Sequence, residues 1–398
     1  MPKASRSAAP WYQDRDKFMK AYGDAGTNMN ELSRQTGVNL RTLERWASKF
    51  GIRKPVKNAK APTVGAPISR EETLEAENAE MKRSLAAARK LEVWDARALR
   101  LLEDNVRAIE PSYERAKETP DKGFTEHMHV LLYSDLHAAE VVKYEAMNGL
   151  NEYNWDIMLA RHQRLAEAIR SFKKNRPYRI RKLVVLGLGD MVTGDIHDEL
   201  RETNEMVISE SAVRLGFDMA SFVSSELVPL YDEIHFAAVV GNHGRTTRKP
   251  EFKSASKNWD WVAYKVMQER LREHDQVTVE LPVGFEQVVQ VFDKNILCFH
   301  GDGIPTNMPG IPWGGVQRRT KELSDTYNSL GLHIDHFALG HFHEADVVGQ
   351  RRIWINGSIK GPDEYSMKRY GGGRAACQLL HTFHPKRGLV STDWLEIQ

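Results

Sequence analysis

From about Gly123 onward, the chain alternates short apolar runs of strand length with longer stretches of helical periodicity. Val130-Leu-Leu-Tyr133, within the stretch His127–His137, is the first run. Leu183–Gly189, His235–Gly241, Ile296–Phe299 and Ile334–Gly340 follow it. They lack the period-two alternation of a half-exposed strand, so each is expected to be buried on both faces. Between them, Asn154–Lys173 and Asn204–Tyr231 read as amphipathic crossover helices. The expected fold class is therefore α/β (α+β), with helices flanking a largely buried sheet. The segment from Arg351 to the end is expected to be β-rich and to supply a second sheet.

The first 55 residues follow a different pattern. Tyr12–Tyr22 predicts a helix with Phe18, Met19 and Tyr22 on its apolar face. Asn28 can cap a second helix, and Gly37 supplies a turn with positive φ. Asn39 can cap a third, Leu40–Phe50, with Leu40, Leu43, Trp46 and Phe50 inward and Arg41, Thr42, Arg45 and Lys49 outward. Helix, glycine turn and helix with a basic face is the helix-turn-helix pattern. The stretch Leu32–Trp46 resembles homeodomain-like segments of bacterial and phage regulators. The resemblance implies a DNA-binding head in which Arg41, Thr42, Arg45 and Lys49 face the nucleic acid.

Residues 56–122 read as a linker and a long helix. Gly51–Ile68 is rich in Lys, Pro, Ala and Gly, and Ser69-Arg-Glu-Glu72 forms a capping box. Leu74, Asn78, Met81, Leu85 and Ala88 then follow coiled-coil spacing, which would pair two chains through residues 70–109. A helix folded back on its own C-terminal domain fits the same pattern. The expected domains are 1–55, 56–122 and 123–398.

Charge sharpens this division. The net charge is only +2, yet residues 1–60 hold 13 Lys and Arg against 5 Asp and Glu. A basic head on an acidic body points to a polyanionic partner. Two cysteines, Cys298 and Cys377, do not make a disulfide framework. Absence of an apolar leader or of a run of membrane length leads to the expectation of a cytoplasmic protein without membrane contact.

The apolar runs end in groups that bind metals. Asp135 and His137 follow the first, Asp190 the second, Asn242 and His243 the third, His300 the fourth, and His341 and His343 the fifth. Ligands gather outside the carboxyl ends of strands in open α/β sheets. Mixed oxygen and nitrogen donors without thiolate suit manganese, iron or zinc better than calcium. Asp190 could bridge two ions, and His243 could protonate a leaving group. Asp302 is a candidate to orient His300. His129, His235, His333 and His336 are expected to be structural.

In order, Asp135-Leu-His137, Gly189-Asp190, Gly241-Asn-His243, His300-Gly301 and Gly340-His-Phe-His343 resemble the motifs of the calcineurin-like metallophosphoesterases. The resemblance implies a four-layer β-sandwich flanked by helices, with two divalent ions (manganese first, then iron, zinc or magnesium). The first ion would take Asp135, His137, Asp190 and His343, and the second Asp190, Asn242, His300 and His341. Catalysis would fall to His243 and Asp190, with a metal-bridging hydroxide as nucleophile. Met191–Gly194 and Gly244 depart from the Ser/Thr phosphatase pattern. The arrangement is closer to the bacterial exonucleases and related DNA-repair nucleases of this superfamily.

Arg245, Asp195 and His197 are the expected substrate contacts. Arg248, Lys249, Lys253, Arg318, Arg319 and Lys321 add cations after the third and fourth motifs. The resulting expectation is a metal-dependent DNA nuclease tethered by its head, in the manner of a phage or prophage protein, with any need for an ATPase partner left open. A phosphomonoesterase or nucleotide phosphodiesterase with a regulatory head is the second reading. A DNA-binding regulator with a non-catalytic body is the third.

Overall fold

The computed structural model describes residues 12, 14–25, 28–50, 100, 102–110, 125–176, 178–247, 249–250, 252–305, 310–370 and 373–398. They fall into two compact units, Met1–Leu91 and Glu92–Gln398. Most of the expected linker and coiled coil, residues 51–99, lies outside the described residues.

The first unit contains helices α1 (Arg15–Asp24), α2 (Met29–Thr36) and α3 (Leu40–Lys49). The first begins later than Tyr12 because the Asp14 carboxylate caps it, accepting from the amides of Asp16 and Lys17. Asn28 caps α2 in the same way, and Gly37 ends it at φ 69°. Phe18, Tyr22, Leu32, Leu43 and Ala47 form the buried core, with Trp46 and Phe50 packed against it. Met19 is 43% exposed rather than inward. Arg41, Arg45 and Lys49 are exposed and Thr42 is half-buried, on the opposite side of α3 from its core residues.

The second unit stacks two sheets between helices. Its elements are β1 (His127–Tyr133), α4 (Trp155–Lys174), β2 (Ile180–Gly187), α5 (Asp198–Thr203), α6 (Ile208–Phe222), β3 (Glu233–Ala238), α7 (Trp259–Leu271), β4 (Val277–Glu280), β5 (Glu286–Val291), β6 (Lys294–Phe299), α8 (Trp313–Ser329), β7 (His336–Leu339), β8 (Asp346–Val348), β9 (Ile353–Ile355), α9 (Glu364–Tyr370), β10 (Cys377–His384) and β11 (Gly388–Glu396). The first sheet runs β11-β10-β1-β2-β3-β4 and the second β5-β6-β7-β9-β8. Strands β1 to β4 are parallel, as are β6, β7 and β9.

Alternate residues of β1 explain its unbroken apolar run. Leu131 and Tyr133 pack towards the helices, while Val130 and Leu132 enter the core between the sheets. Cys298 also belongs to that inter-sheet core. A third core joins the outer face of β6, β7 and β9 to α8. Helices, sheet, sheet and helix give the expected four layers.

Three boundaries differ from expectation. The stretch 204–231 is helical only from Ile208, after a separate α5, and it ends in a π-helical turn at Val223–Leu227. Strands β10 and β11 extend the first sheet, because β10 pairs antiparallel with β1; of the strands after Arg351 only β9 joins the second. Alternation identifies a strand without specifying its neighbour. Residues 102–105 are helical, and the Ile109 amide donates to the Arg270 carbonyl at 2.7 Å, so the end of the long helix-forming stretch packs on α7. Among the described residues no helix is long and apolar enough to cross a membrane.

Candidate metal centre

The carboxyl ends of β1, β2, β3, β6 and β7 converge, bringing together Asp135, His137, Asp190, Asn242, His243, His300, His341 and His343. Among the described residues, three groups have ligand atoms within 4.8 Å of one another: Asp135, His137 and His343; His137, Asp190 and His243; Asp190, His300 and His341. Asp190 and His137 each belong to two groups, so the cluster is continuous. The Asn242 amide oxygen lies 3.2 Å from His300 Nε2, which brings Asn242 to the same point as Asp190.

Local backbone geometry accounts for the convergence. Asp135, His137, Asp190, His341 and His343 all have φ between 50° and 73°. Such left-handed conformations are uncommon for residues with a Cβ, and they turn the side chains back across the strand ends. Two glycines permit the close approach of the loops. A Cβ on Gly241 would lie 2.2 Å from Asp190 Oδ1, and one on Gly340 would lie 2.5 Å from Asp135 Oδ2.

Hydrogen bonds fix the rings. His300 Nδ1 donates to the Leu188 carbonyl at 2.7 Å, leaving Nε2 directed at Asp190 Oδ2, 3.0 Å away. Asp302 is exposed, so the carbonyl rather than that carboxylate holds the ring. His243 Nδ1 donates to the Thr193 carbonyl at 2.7 Å, and its amide donates to Asp190 Oδ1 at 2.8 Å. The nitrogens His137 Nε2 and His343 Nε2 are only 2.9 Å apart, and His343 Nε2 is 3.4 Å from Asp135 Oδ1.

Electrostatics favour a cation here. Burial holds the His137 imidazole well below its ordinary value, and burial pushes His341 down to about 4, so both keep a free lone pair at neutral pH. Burial also opposes the charged form of His300, but the Asp190 carboxylate overrides it and raises the ring to about 10. Without a metal, a proton thus occupies the position between His300 and Asp190. Carboxylate, amide and imidazole donors with ring nitrogens crowded at 2.9 Å fit divalent metals.

Several supporting residues escaped the sequence reading. Buried Asp260 accepts from the amides of Met191, Val192 and Gly241, joining the loops that carry Asp190 and Asn242. Burial, followed by repulsion from Asp190, lifts its carboxyl to about 7. Ser134, Asn356, Ser358 and Gln378 form another buried web beneath Asp135. A carboxylate after an asparagine cap, or polar residues inside an apolar strand, gave no spacing signal.

The other expected contacts lie on exposed or half-buried loops. His197 is exposed with its ring 5.8 Å from that of His243, whereas Asp195 is exposed in the same loop. Arg245 is half-buried, its backbone bridged to Asn258. His129 is structural, bonded to the Tyr231 hydroxyl at 2.6 Å.

Residues 128–368 match the family described as Calcineurin-like phosphoesterase. The chain belongs to this family. Calcineurin-like phosphoesterases bind divalent metals, in keeping with the donor clusters at the strand ends. Similar solved structures include zinc-complexed Vps29 from Entamoeba histolytica, at 14% identity and TM-score 0.26, covering 68% of this chain and 100% of that one. Vps29 from Cryptosporidium parvum has 12% identity and TM-score 0.28, over 69% and 99% of the two chains. A Streptococcus pneumoniae protein described as a predicted phosphoesterase has 11% identity and TM-score 0.25, over 67% and 98%. No curated protein matches the chain.

Proposed function

We propose that this calcineurin-like phosphoesterase hydrolyses phosphodiester bonds in DNA, using two divalent ions, manganese foremost, and a DNA-binding helical head. The observation that carries the hydrolase reading is the continuous donor cluster in which Asp190 and His137 are each shared. Asp135, His137, Asp190 and His343 would hold one ion, and Asp190, Asn242, His300 and His341 the other. A bound pair supplies Lewis acidity, neutralising phosphate charge and lowering the pKa of water. Asp190 joins the two halves. His243, whose Nδ1–H is donated to the Thr193 carbonyl, would protonate a leaving oxygen from Nε2 when the ring is an imidazolium, and be left neutral.

Exposed cations support DNA as the polyanion. Lys249, Lys253 and Lys257 follow the Asn242-His243 turn, and Arg41, Arg45 and Lys49 lie on the outer face of α3. A head that holds DNA raises its concentration at the catalytic body without adding catalytic contacts.

The test is hydrolysis of labelled single- and double-stranded DNA beside bis-p-nitrophenyl phosphate and p-nitrophenyl phosphate, with Mn²⁺ or EDTA. Mn²⁺-dependent DNA cleavage that is lost in Asp190→Ala is the expected result. Turnover of the monoester with intact DNA would replace this reading with a phosphomonoesterase. DNA binding with no hydrolysis of any substrate would leave only a regulator.

A further inference from the structure

Behind His137 lies a charged cluster that the proposed reaction does not use. Glu140, Lys360 and Asp363 are 6%, 3% and 7% exposed. The Lys360 ammonium donates to Glu140 Oε1 at 2.9 Å and also contacts Asp363 Oδ2. Burial opposes the charge on Lys360, yet its two carboxylate partners hold it above the usual lysine range. Burying charges opposes folding, and replacement by apolar residues is often neutral or better. Such a triad calls for another explanation.

Its position supplies one. Glu140 Oε2 is 3.6 Å from His137 Nδ1, and among the described residues that buried nitrogen has no hydrogen-bond partner. The opposite ring nitrogen faces His343 and Asp190. A neutral imidazole has one N–H, so a lone pair at Nε2 requires the hydrogen at Nδ1. The carboxylate oxygen of Glu140, 3.6 Å away, is an acceptor near that nitrogen. The backbone ties the triad to the same strand end, since Ser358 Oγ and the Ile359 amide both donate to the Asp135 carbonyl, at 2.8 and 3.2 Å. Thr193, whose carbonyl holds His243, also reaches Glu140 Oε2 through its hydroxyl at 3.3 Å.

We propose that Glu140 is a positioning residue for His137, accepting the Nδ1 hydrogen so that the Nε2 lone pair faces a divalent ion held with Asp135 and His343. Lys360, itself fixed by Asp363, holds the Glu140 side chain in place. This inference rests on the metal-centre reading. Carboxylate partners of metal-binding histidines set ring orientation and basicity, and their loss typically weakens metal binding by about 10–100-fold.

The test uses full-length, metal-stripped protein titrated calorimetrically with MnCl₂ and followed by Mn²⁺ paramagnetic resonance. Glu140→Gln keeps the size of the side chain and leaves Lys360 paired with Asp363. The wild type should take up two ions with the spectrum of an exchange-coupled pair. In the variant one of the two binding steps should weaken by about 10–100-fold, and the coupled signal should give way to that of a lone ion. A merely structural role would lower the Tm of the metal-free protein without separating the two steps. If Glu140→Gln does not fold, Glu140→Asp keeps the charge but withdraws it by one methylene, with the same expected selective loss. A folded variant that binds both ions as the wild type does would overturn the inference. A wild type that binds no ions would overturn the metal-centre reading together with it.

Discussion

At His300, the two ring nitrogens have different partners: Nδ1 donates to a carbonyl, and Nε2 lies 3.0 Å from Asp190 Oδ2. The folded value near 10 exceeds the reference value of 6.5. In the metal-free protein this pair therefore contributes stability that is complete below about pH 6.5 and lost as pH rises through about 10. A cation at Nε2 must displace the proton, so affinity for Mn²⁺ should rise with pH across that window. Calorimetry at pH 7 in buffers of different ionisation enthalpy should detect release of about one proton per protein. Uptake of Mn²⁺ with no proton release and no pH dependence would contradict the arrangement. Donors such as His300 were legible in the sequence because each immediately follows an apolar run. Asp260 and Glu140 were not, since their roles come from long-range contacts with Gly241 and Lys360 rather than from spacing.

Among the elements, the loop after β3 has the least room. A methyl group at Gly241 would collide with both the amide and the carboxylate of Asp190 at 2.2 Å, backbone included. Gly241→Ala should therefore displace Asp190, lower Mn²⁺ affinity and destabilise the metal-free protein by about 1–3 kcal/mol, the usual cost of overpacking. Urea denaturation and calorimetric titration would check this, and wild-type values for both would contradict the close approach. Strands β1, β2, β3, β6 and β7 were visible as apolar runs because helices or a second sheet cover both faces. The partner of β10 was not visible. Its residues Leu379 and Phe383 face the inter-sheet core while Leu380 faces the helices, a pattern that any interior strand could show.

For the whole molecule, the head and the catalytic body are separable in their chemistry. If Arg41 and Arg45 contact DNA phosphates, Arg41→Ala/Arg45→Ala should weaken DNA binding and reduce the salt slope by about one for each lost contact. Hydrolysis of bis-p-nitrophenyl phosphate should be unchanged, because those side chains belong to a unit with its own core. DNA affinity equal to that of the wild type across a salt series would exclude them from the interface. In the head, α2 was legible because Asn28 and Gly37 mark its ends with local chemistry, whereas the Asp14 cap was missed and the start of α1 was placed too early. Residues 51–99 lie outside the described residues, so the expected pairing of two chains through 70–109 stands as a proposal for solution measurement.

The pairing of β1 with β10 also sets an order of events during synthesis. Ser134 donates its amide to Gln378, 244 positions later in the chain. At about 5–20 residues per second, the ribosome needs on the order of 10–50 s to make the intervening polypeptide. Throughout that interval the strand leading into Asp135 and His137 has an unfilled edge, the kind of surface that recruits foreign strands. A nascent chain stalled before Cys377 would carry every proposed metal donor yet lack the strand that closes the sheet behind them. Hydrolytic competence should therefore arise only once β10 has been made and paired with β1.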